Sequence, residues 1–251
     1  MAFRNAYESA EHSRQILDLI FGYDSFLDSL SVVADFGCGA GLDVEWWATL
    51  ETRDEPPEPR NYLVYAVDQN TKQLDEQVGK LPNVKVIEAN FEHDNIIPRK
   101  CDLLWSHDSF QYAINPLQTL KNWNEQMNEN GMLVMSMPQN IHYQYNRLHN
   151  HSPNGVYYNH NIASLIYMLA VNGFDCRDAY FYKNVNDPWL YAAVYKSNIA
   201  PMDPKTTTWA HLAELDLVND SIKESVNRYN YVRQEDIVTV WLDKDFYRIL
   251  E

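Results

Sequence analysis

The sequence predicts an α/β fold in which an open, mostly parallel sheet carries helices on both faces and ends in an antiparallel pair of strands. Short apolar runs alternate with segments of helical spacing from Val32 onward, at the pace of repeated strand–helix–strand units. Two longer apolar and aromatic runs after Val171 follow each other with turn residues between them. With 251 residues, 45% of them hydrophobic, the chain can bury a sizeable core, and we expect one large domain.

The first half of this domain alternates strands and helices. An amphipathic helix over 6–21 leads into it. Strands are predicted over 31–37, 62–68 and 83–89, with helices over 42–50 and 71–81. The charged, proline-rich segment 51–61 suits neither element and is predicted to be an exposed loop.

The second half adds two strands before the closing pair. Strands are predicted over 101–106 and 131–138, with a helix over 116–128 between them. A polar, aromatic insertion over 139–160 lacks periodicity and is predicted to cover the mouth of the sheet as a substrate lid. A helix over 162–171 and antiparallel strands over 173–183 and 187–196 complete a domain placed at 1–200. Residues 201–251 are expected to form a mainly helical extension packed on the same domain.

Composition narrows the function. The three cysteines, Cys38, Cys101 and Cys176, are far apart and show none of the close pairs that zinc sites use. A formal net charge of −15 opposes approach to a phosphate backbone. No apolar stretch reaches the roughly 18 residues of a spanning helix, and the amino end lacks the features of a secretory signal. We therefore expect a cytoplasmic protein that binds neither nucleic acid nor membrane.

Three glycines at alternate positions follow the first predicted strand. The stretch VVADFGCGAGLD places Gly37, Gly39 and Gly41 at every second position. Backbone without side chains can come close to a ligand at such a turn. The spacing differs by one residue from the G-x-G-x-x-G fingerprint of dinucleotide sites. A second interpretation is that the turn serves only close packing.

This stretch resembles motif I of the class I S-adenosylmethionine-dependent methyltransferases, which carries an acid just ahead of the glycines, as Asp35 is here. Other landmarks follow in the family's order: Asp68 in YAVDQN, then EANF, CDLLWSHDSFQYAINP and NENGMLVMSMP. The resemblance covers roughly 32–196. It implies a Rossmann-like, seven-stranded, mostly parallel sheet with an antiparallel closing strand, S-adenosyl-L-methionine as cofactor, and methyl transfer to an oxygen or nitrogen of a small-molecule acceptor.

The resemblance also implies the residues of the cofactor site. Asp68 would accept hydrogen bonds from both ribose hydroxyls, although alone it could be a helix cap. Asp35 would help to hold the turn and the cofactor's amino group, and Asn90 would face adenine, where the family more often has Asp. Arg14 could pair with the methionine carboxylate or simply lie on the surface of its helix. The other positions predicted to contact the cofactor are Phe36, Gly37, Gly39, Gly41, Gln69, Phe91, Ser106 and His107.

The catalytic residues are predicted from the chemistry of the transfer. An in-line displacement mainly needs donor and acceptor held together in a dry pocket. Where the acceptor must lose a proton, His107 is the first candidate base, because the fourth strand would deliver it near the methyl group; it can also be an ordinary loop histidine. Tyr112 stands where many small-molecule members carry histidine. His142 and Tyr143 of the insertion complete the predicted set.

Several alternatives stay open. The insertion contains His142, His149 and His151, but their spacing matches no familiar ligand set, and no metal site is predicted. A non-catalytic protein could keep the pocket and bind a protein partner, or a second copy, through 201–251. A protein methyltransferase fits the aromatic insertion, and a nicotinamide enzyme is opposed by the glycine spacing. An enzyme that methylates nucleic-acid amino groups would show an Asn/Asp-Pro-Pro-aromatic signature, which WSHDSFQY lacks.

Overall fold

The structure, a computed structural model, describes residues 24–138, 160–183, 189–233 and 237. The predicted helix over 6–21, nearly all of the insertion over 139–160 and the last segment, 238–251, lie outside these residues. No helix in the described part of the chain is both long and apolar enough to cross a membrane.

Within the described ranges the strands form one seven-stranded sheet. They are β1 Val32–Phe36, β2 Leu63–Asp68, β3 Val84–Glu88, β4 Cys101–His107, β5 Met127–Pro138, β6 Phe174–Lys183 and β7 Trp189–Lys196. Their spatial order is β3-β2-β1-β4-β5-β7-β6. β7 runs antiparallel to both of its neighbours, and the pairs from β3 to β5 are parallel. The predicted fold class is confirmed.

Helices pack on both faces of this sheet. They are α1 Asp24–Ser29, α2 Leu42–Thr49, α3 Glu76–Gly79, α4 Pro116–Glu125, α5 Ile162–Val171, α6 Trp209–Glu214 and α7 Asp220–Tyr229. One buried apolar cluster includes Trp123 of α4, and a second includes Trp47 of α2. Val32 and Ala34 of β1 belong to the first cluster and Val33 to the second, because successive strand residues point to opposite faces.

The described part of the C-terminal segment joins the first of these clusters. Leu212 of α6 and Ile222 of α7 are both fully buried there. Cys176 of β6 also forms an isolated bridge with Val218, which lies between the two helices. These contacts place α6 and α7 against the same sheet as the preceding residues.

The predicted helix over 71–81 is broken in two. Thr71–Gln73 form a 3-10 turn, and α3 begins only after Asp75, whose side chain accepts a hydrogen bond from the Gln77 N–H at 2.7 Å. The Asp75 N–H donates to the Ala40 carbonyl oxygen at 3.1 Å. The break therefore fastens this segment to the glycine turn, which a continuous helix could not do because it would use that N–H internally.

The boundary between α4 and β5 also differs from the prediction. The helix predicted over 116–128 ends at Glu125, and β5 begins at Met127 rather than Gly131. Met127 pairs with Cys101 at the start of β4, after which the pairing of the two strands is irregular. Asn130 lies near this irregularity with a φ of 61°. The apolar run over 131–138 marks only the regular part of the strand.

Candidate functional site

A cavity of about 360 Å³ lies at the carboxyl ends of β1, β2 and β4. In open α/β sheets ligands bind outside the carboxyl ends of the strands, at the point where the strand order reverses. That point lies between β1 and β4 in this sheet. The volume falls within the roughly 300–1,000 Å³ of small-molecule sites.

Most of the predicted site residues in the described ranges line this cavity. They are Asp35, Gly37, Gly39, Gly41, Asp68, Gln69, Phe91, His107 and Tyr112. Phe36, Asn90 and Ser106 lie outside its lining. Arg14, His142 and Tyr143 fall outside the described residues, so their roles stay predictions.

The glycine turn, residues 37–41, begins where β1 ends. Gly37 has a φ of 85° and Gly39 a φ of 51°, in the left-handed region that glycine adopts without strain. A Cβ atom added to Gly37 would lie 2.4 Å from the Cβ of Ser109, whereas no heavy atom would lie within 4 Å of one added to Gly39. Gly37 therefore permits close packing, and Gly39 leaves backbone open to the cavity.

The turn is fastened to the end of β2. The Gly37 N–H donates to the Val67 carbonyl oxygen at 2.8 Å, and the Gly39 N–H donates to Oδ2 of Asp68 at 3.0 Å. Oδ1 of Asp68 accepts a hydrogen bond from the Asn70 N–H at 2.8 Å. Each carboxylate oxygen keeps capacity for a further donor, and Asp68 lines the cavity. The hydrogen bond from Asn70 closes a tight turn at Asp68. Asp68 does not cap the following α-helix, which is capped by Asp75.

Two serines join β4 and the loop after it to the end of β1. Oγ of Ser106 lies 3.1 Å, and Oγ of Ser109 2.9 Å, from the Phe36 carbonyl oxygen. The two hydroxyl oxygens are 2.6 Å apart. Because each hydroxyl has one proton, one can donate to the carbonyl while it accepts from the other. This buried network holds the start of the glycine turn against the loop that carries Ser109.

His107, the predicted base, ends β4 and is 7% exposed. Its ring centroid lies 4.2 Å from that of Trp105. The Trp105 indole N–H donates to Oδ2 of Asp43 at 2.9 Å, which ties β4 to the first turn of α2. His107 is thus part of the cavity wall and packs on a fully buried tryptophan.

The predicted adenine-binding region follows β3. Oδ1 of Asn90 accepts a hydrogen bond from the Glu92 N–H at 3.0 Å, so it closes a turn of its own loop. Phe91 lines the cavity, and its carbonyl oxygen accepts from the Trp123 indole at 2.8 Å. The side-chain role predicted for Asn90 stays a prediction, and α4 positions Phe91.

Sequence reasoning missed Asp108, which follows β4 directly and lines the cavity. Its φ is 49°, a conformation that Asp adopts more readily than most residues, and its N–H donates to the Ser136 carbonyl oxygen at 3.2 Å. The carboxylate accepts a hydrogen bond from Nε2 of Gln111. Burial raises the pKa of Asp108 to about 7, and the Gln111 hydrogen bond opposes that rise. Its position at the carboxyl end of a predicted strand was the available signal.

Other lining residues were also not assigned from the sequence: Cys38, Ala40, Leu42, Asp43, Asn70, Gln73 and Ser109. Burial, with the negative charges of Asp35 and Asp68, raises the pKa of the Cys38 thiol far above its usual range. The thiol therefore stays protonated. Across the described ranges, no group of three or more His, Cys, Asp or Glu side chains could hold a metal ion.

Comparison with known proteins was made for sequence and for fold. Residues 34–135 match a family model described as a methyltransferase domain. The trans-aconitate 2-methyltransferase of Afipia carboxidovorans is 30% identical over 109 residues, which cover 43% of this chain and 39% of that protein. The malonyl-[acyl-carrier protein] O-methyltransferase 2 of Coxiella burnetii is 31% identical over 109 residues, 43% of this chain and 41% of that protein. The match thus spans about two fifths of the length of these curated relatives.

Among solved structures, the N-methyltransferase NodS from Bradyrhizobium japonicum WM9, in complex with S-adenosyl-L-homocysteine, is similar with a TM-score of 0.54. The similarity covers 77% of this chain and 89% of that chain at 11% identity, so it concerns the fold. Together with the family match, it confirms the predicted resemblance to the class I S-adenosylmethionine-dependent methyltransferases.

Proposed function

We propose, on the premise of this family resemblance, that the chain binds S-adenosyl-L-methionine and transfers its methyl group to an oxygen or nitrogen of a small-molecule acceptor. The observation that carries the proposal is the pairing of Gly39 with Asp68. An open stretch of backbone and a carboxylate with spare hydrogen-bonding capacity share one cavity. Both lie in the segment that matches the methyltransferase domain.

The lining fits such a ligand. S-adenosyl-L-methionine, when bound, supplies a methyl group on a positively charged sulfur. Asp68 would bind the ribose hydroxyls, and Phe91 would lie against the adenine ring. Because Gly39 has no side chain, the ligand can occupy the space beside it. Arg14 remains the predicted partner of the methionine carboxylate.

The acceptor would lie beyond the methyl group, on the side formed by the loop after β4. His107 and Tyr112 line this part of the cavity, and His107 is the candidate base for an acceptor that must lose a proton. His142, Tyr143 and the rest of the predicted lid over 139–160 would enclose the acceptor. The relatives are named for trans-aconitate and for malonyl-[acyl-carrier protein], which supports an acceptor of small-molecule size.

Calorimetry tests the cofactor. We expect wild-type protein to bind S-adenosyl-L-methionine and S-adenosyl-L-homocysteine but not NADH. Asp68→Asn should weaken both at least about tenfold, because one hydrogen bond to a charged group contributes roughly 1.5–3 kcal/mol. Asp94→Asn, the same chemical change at an exposed residue, is the matched control. Failure of the wild type to bind either compound would refute the proposal.

A partner protein that keeps the pocket and a protein methyltransferase are the alternatives. Methyl-labelled S-adenosyl-L-methionine incubated with a metabolite extract separates an enzyme that acts on small molecules from both of them. An enzyme labels a metabolite, whereas a partner protein binds the cofactor and labels none.

A further inference from the structure

We propose that the methyl acceptor is an amine that enters the cavity as a cationic ammonium group, and that Asp108, in place of the predicted base His107, takes the proton which its nitrogen must lose. This inference depends on the proposed methyl transfer and goes beyond it, because it names the class of acceptor and the group that receives its proton.

The charge of the cavity favours a cationic acceptor. The lining contains Asp35, Asp43, Asp68 and Asp108, and none of the described residues that line it is lysine or arginine. These acidic side chains give the cavity a negative potential. Such a potential attracts an ammonium group and repels a carboxylate.

Three of these aspartates have other tasks. Asp68 holds Gly39 and Asn70 and is assigned to the ribose. Asp43 accepts the hydrogen bond of Trp105, and Asp35 lies within β1 with only 3% exposure. Asp108 is the lining aspartate that neither the cofactor nor the framework accounts for.

Gln111 can form a hydrogen bond with Asp108 in either protonation state of the carboxyl group. Gln111 is 2% exposed, and Oε1 of that amide has no hydrogen-bond partner among the described residues. Ionised Asp108 accepts from Nε2 of Gln111, as the structure shows. Protonated Asp108 could donate to Oε1 once the amide turned over. The pair therefore has a hydrogen bond available in either protonation state.

The titration of Asp108 suits this task. Burial raises its pKa to about 7, so a large fraction is ionised at neutral pH and can accept a proton, the condition for general base catalysis. The titratable groups that share the cavity are Asp35 and Cys38 after β1, Asp43 on α2, Asp68 at the end of β2, His107 on β4 and Tyr112 beyond it.

The ammonium group first gives a proton to the Asp108 carboxylate, which leaves a lone pair on the nitrogen. The nitrogen then forms a bond to the methyl carbon, and the carbon–sulfur bond breaks with its electron pair going to sulfur. A carboxylate acceptor is already ionised at neutral pH and would need no such base.

The acceptor class is tested on a metabolite extract separated by charge at pH 7 into cation-exchange, unretained and anion-exchange fractions. Each is incubated with wild-type protein and methyl-labelled S-adenosyl-L-methionine. We expect label in the fraction retained by the cation exchanger, on nitrogen. Label confined to either of the other fractions would overturn the amine assignment, and label in none would overturn the methyl transfer on which it depends.

The role of Asp108 is tested with the amine fraction over a range of pH. The initial rate of wild-type protein should fall as the pH drops below about 7, as Asp108 becomes protonated. Asp108→Asn should lower the rate roughly 10²- to 10⁴-fold and remove this limb, and Asp108→Glu should restore part of the rate. Gln111→Leu should move the limb to higher pH, because its hydrogen bond lowers the pKa of Asp108.

Two controls keep the result decisive. Asp108→Asn should bind S-adenosyl-L-homocysteine as the wild type does, which separates lost chemistry from lost folding. The titration of Asp108 can also be measured without an enzyme assay. In urea unfolding, the wild type should lose stability relative to Asp108→Asn as the pH rises from 4 to 7, because the folded protein holds the Asp108 proton more tightly than the unfolded chain does. A full rate for Asp108→Asn, or loss of the limb in His107→Gln instead, would transfer the role to another residue and overturn the proposal.

Discussion

At the residue scale, two glycines of the turn, Gly37 and Gly39, have different surroundings. Gly37 is needed because the Ser109 side chain occupies the space where its Cβ would lie. Glycine is favoured at Gly39 by its left-handed backbone, with a φ of 51°, and the space beside it is open. Gly37 therefore fits the packing interpretation of the turn, and at Gly39 the ligand interpretation stays a prediction.

This difference predicts that alanine mainly lowers stability at Gly37 and mainly weakens cofactor binding at Gly39. Gly37→Ala should cost roughly 2–5 kcal/mol of unfolding free energy, from the left-handed backbone and the contact with Ser109. Gly39→Ala should cost only about 1–2 kcal/mol but weaken cofactor binding more than tenfold, because its Cβ enters the cavity. Urea unfolding without ligand and calorimetry measure the two effects.

A second substitution checks the cause. Ser109→Gly should destabilise Gly37→Ala less than it destabilises the wild type, because both proteins lose the Ser109 hydrogen bonds but only the variant is relieved of the contact. If Gly39→Ala proved the less stable variant and bound the cofactor normally, the assignment of the two positions would be wrong.

At the element scale, the cavity exists because the carboxyl ends of three strands are tied together. Ser106 and the Ser109 loop hold the Phe36 carbonyl, the Gly39 N–H reaches Asp68 of β2, and Trp105 of β4 reaches α2. The break at Asp75 adds a fourth connection, to the turn itself. Each tie is a hydrogen bond between elements far apart in the sequence.

The hydrogen bonds of Ser106 and Ser109 predict that the two hydroxyls do not contribute to stability independently. Ser106→Ala and Ser109→Ala should each destabilise the protein by about 1–3 kcal/mol, since each leaves buried groups without a partner. The double variant should lose less than the sum, with a coupling of roughly 0.5–3 kcal/mol. Urea unfolding of all four proteins gives the coupling energy. Ser29→Ala combined with Ser106→Ala is the control, because Ser29 is exposed on α1 and the two effects should add. Additive effects of the two buried serines would show that they act separately.

At the scale of the whole molecule, two buried groups make stability respond to pH in opposite directions. Burial lowers the pKa of His160 to about 4 and raises that of Asp108 to about 7. Between pH 4 and 6.5 the unfolded chain binds the His160 proton that the folded protein excludes, so stability falls as the pH falls. Over the same range the folded protein holds the Asp108 proton, so that contribution to stability rises as the pH falls.

Removing His160 should therefore reduce the loss of stability in acid. Relative to wild type, His160→Gln should gain about 2 kcal/mol on going from pH 7 to pH 5, because one excluded proton changes stability by roughly 1.4 kcal/mol per pH unit below the unfolded pKa. Urea unfolding at the two pH values measures this difference. His93→Gln, at an exposed position, gives the effect of the substitution itself. An equal difference for both variants would show that burial of His160 is not the cause.

Much of this protein can be predicted locally. Apolar runs locate β1 and β2 along the chain, because a strand buried on both faces is mostly apolar, and an alternating pattern locates the edge strand β3. The glycine spacing and the acid at the end of the second strand mark the edge of the sheet where the cavity lies, since carboxyl ends of parallel strands meet at one edge. Both features are properties of neighbouring residues, and the sequence by itself determines them.

Other features depend on contacts between distant residues, and only the tertiary structure decides them. β7 lies between β5 and β6, the predicted helix over 71–81 breaks to give Asp75 a partner at Ala40, and the Asp108 N–H donates to the Ser136 carbonyl oxygen. Asp108 becomes a candidate base because packing around it removes water and Gln111 supplies the hydrogen bond that remains. Burial by elements that are distant in the sequence raises the pKa of such a carboxyl group, so the neighbouring residues alone do not determine it.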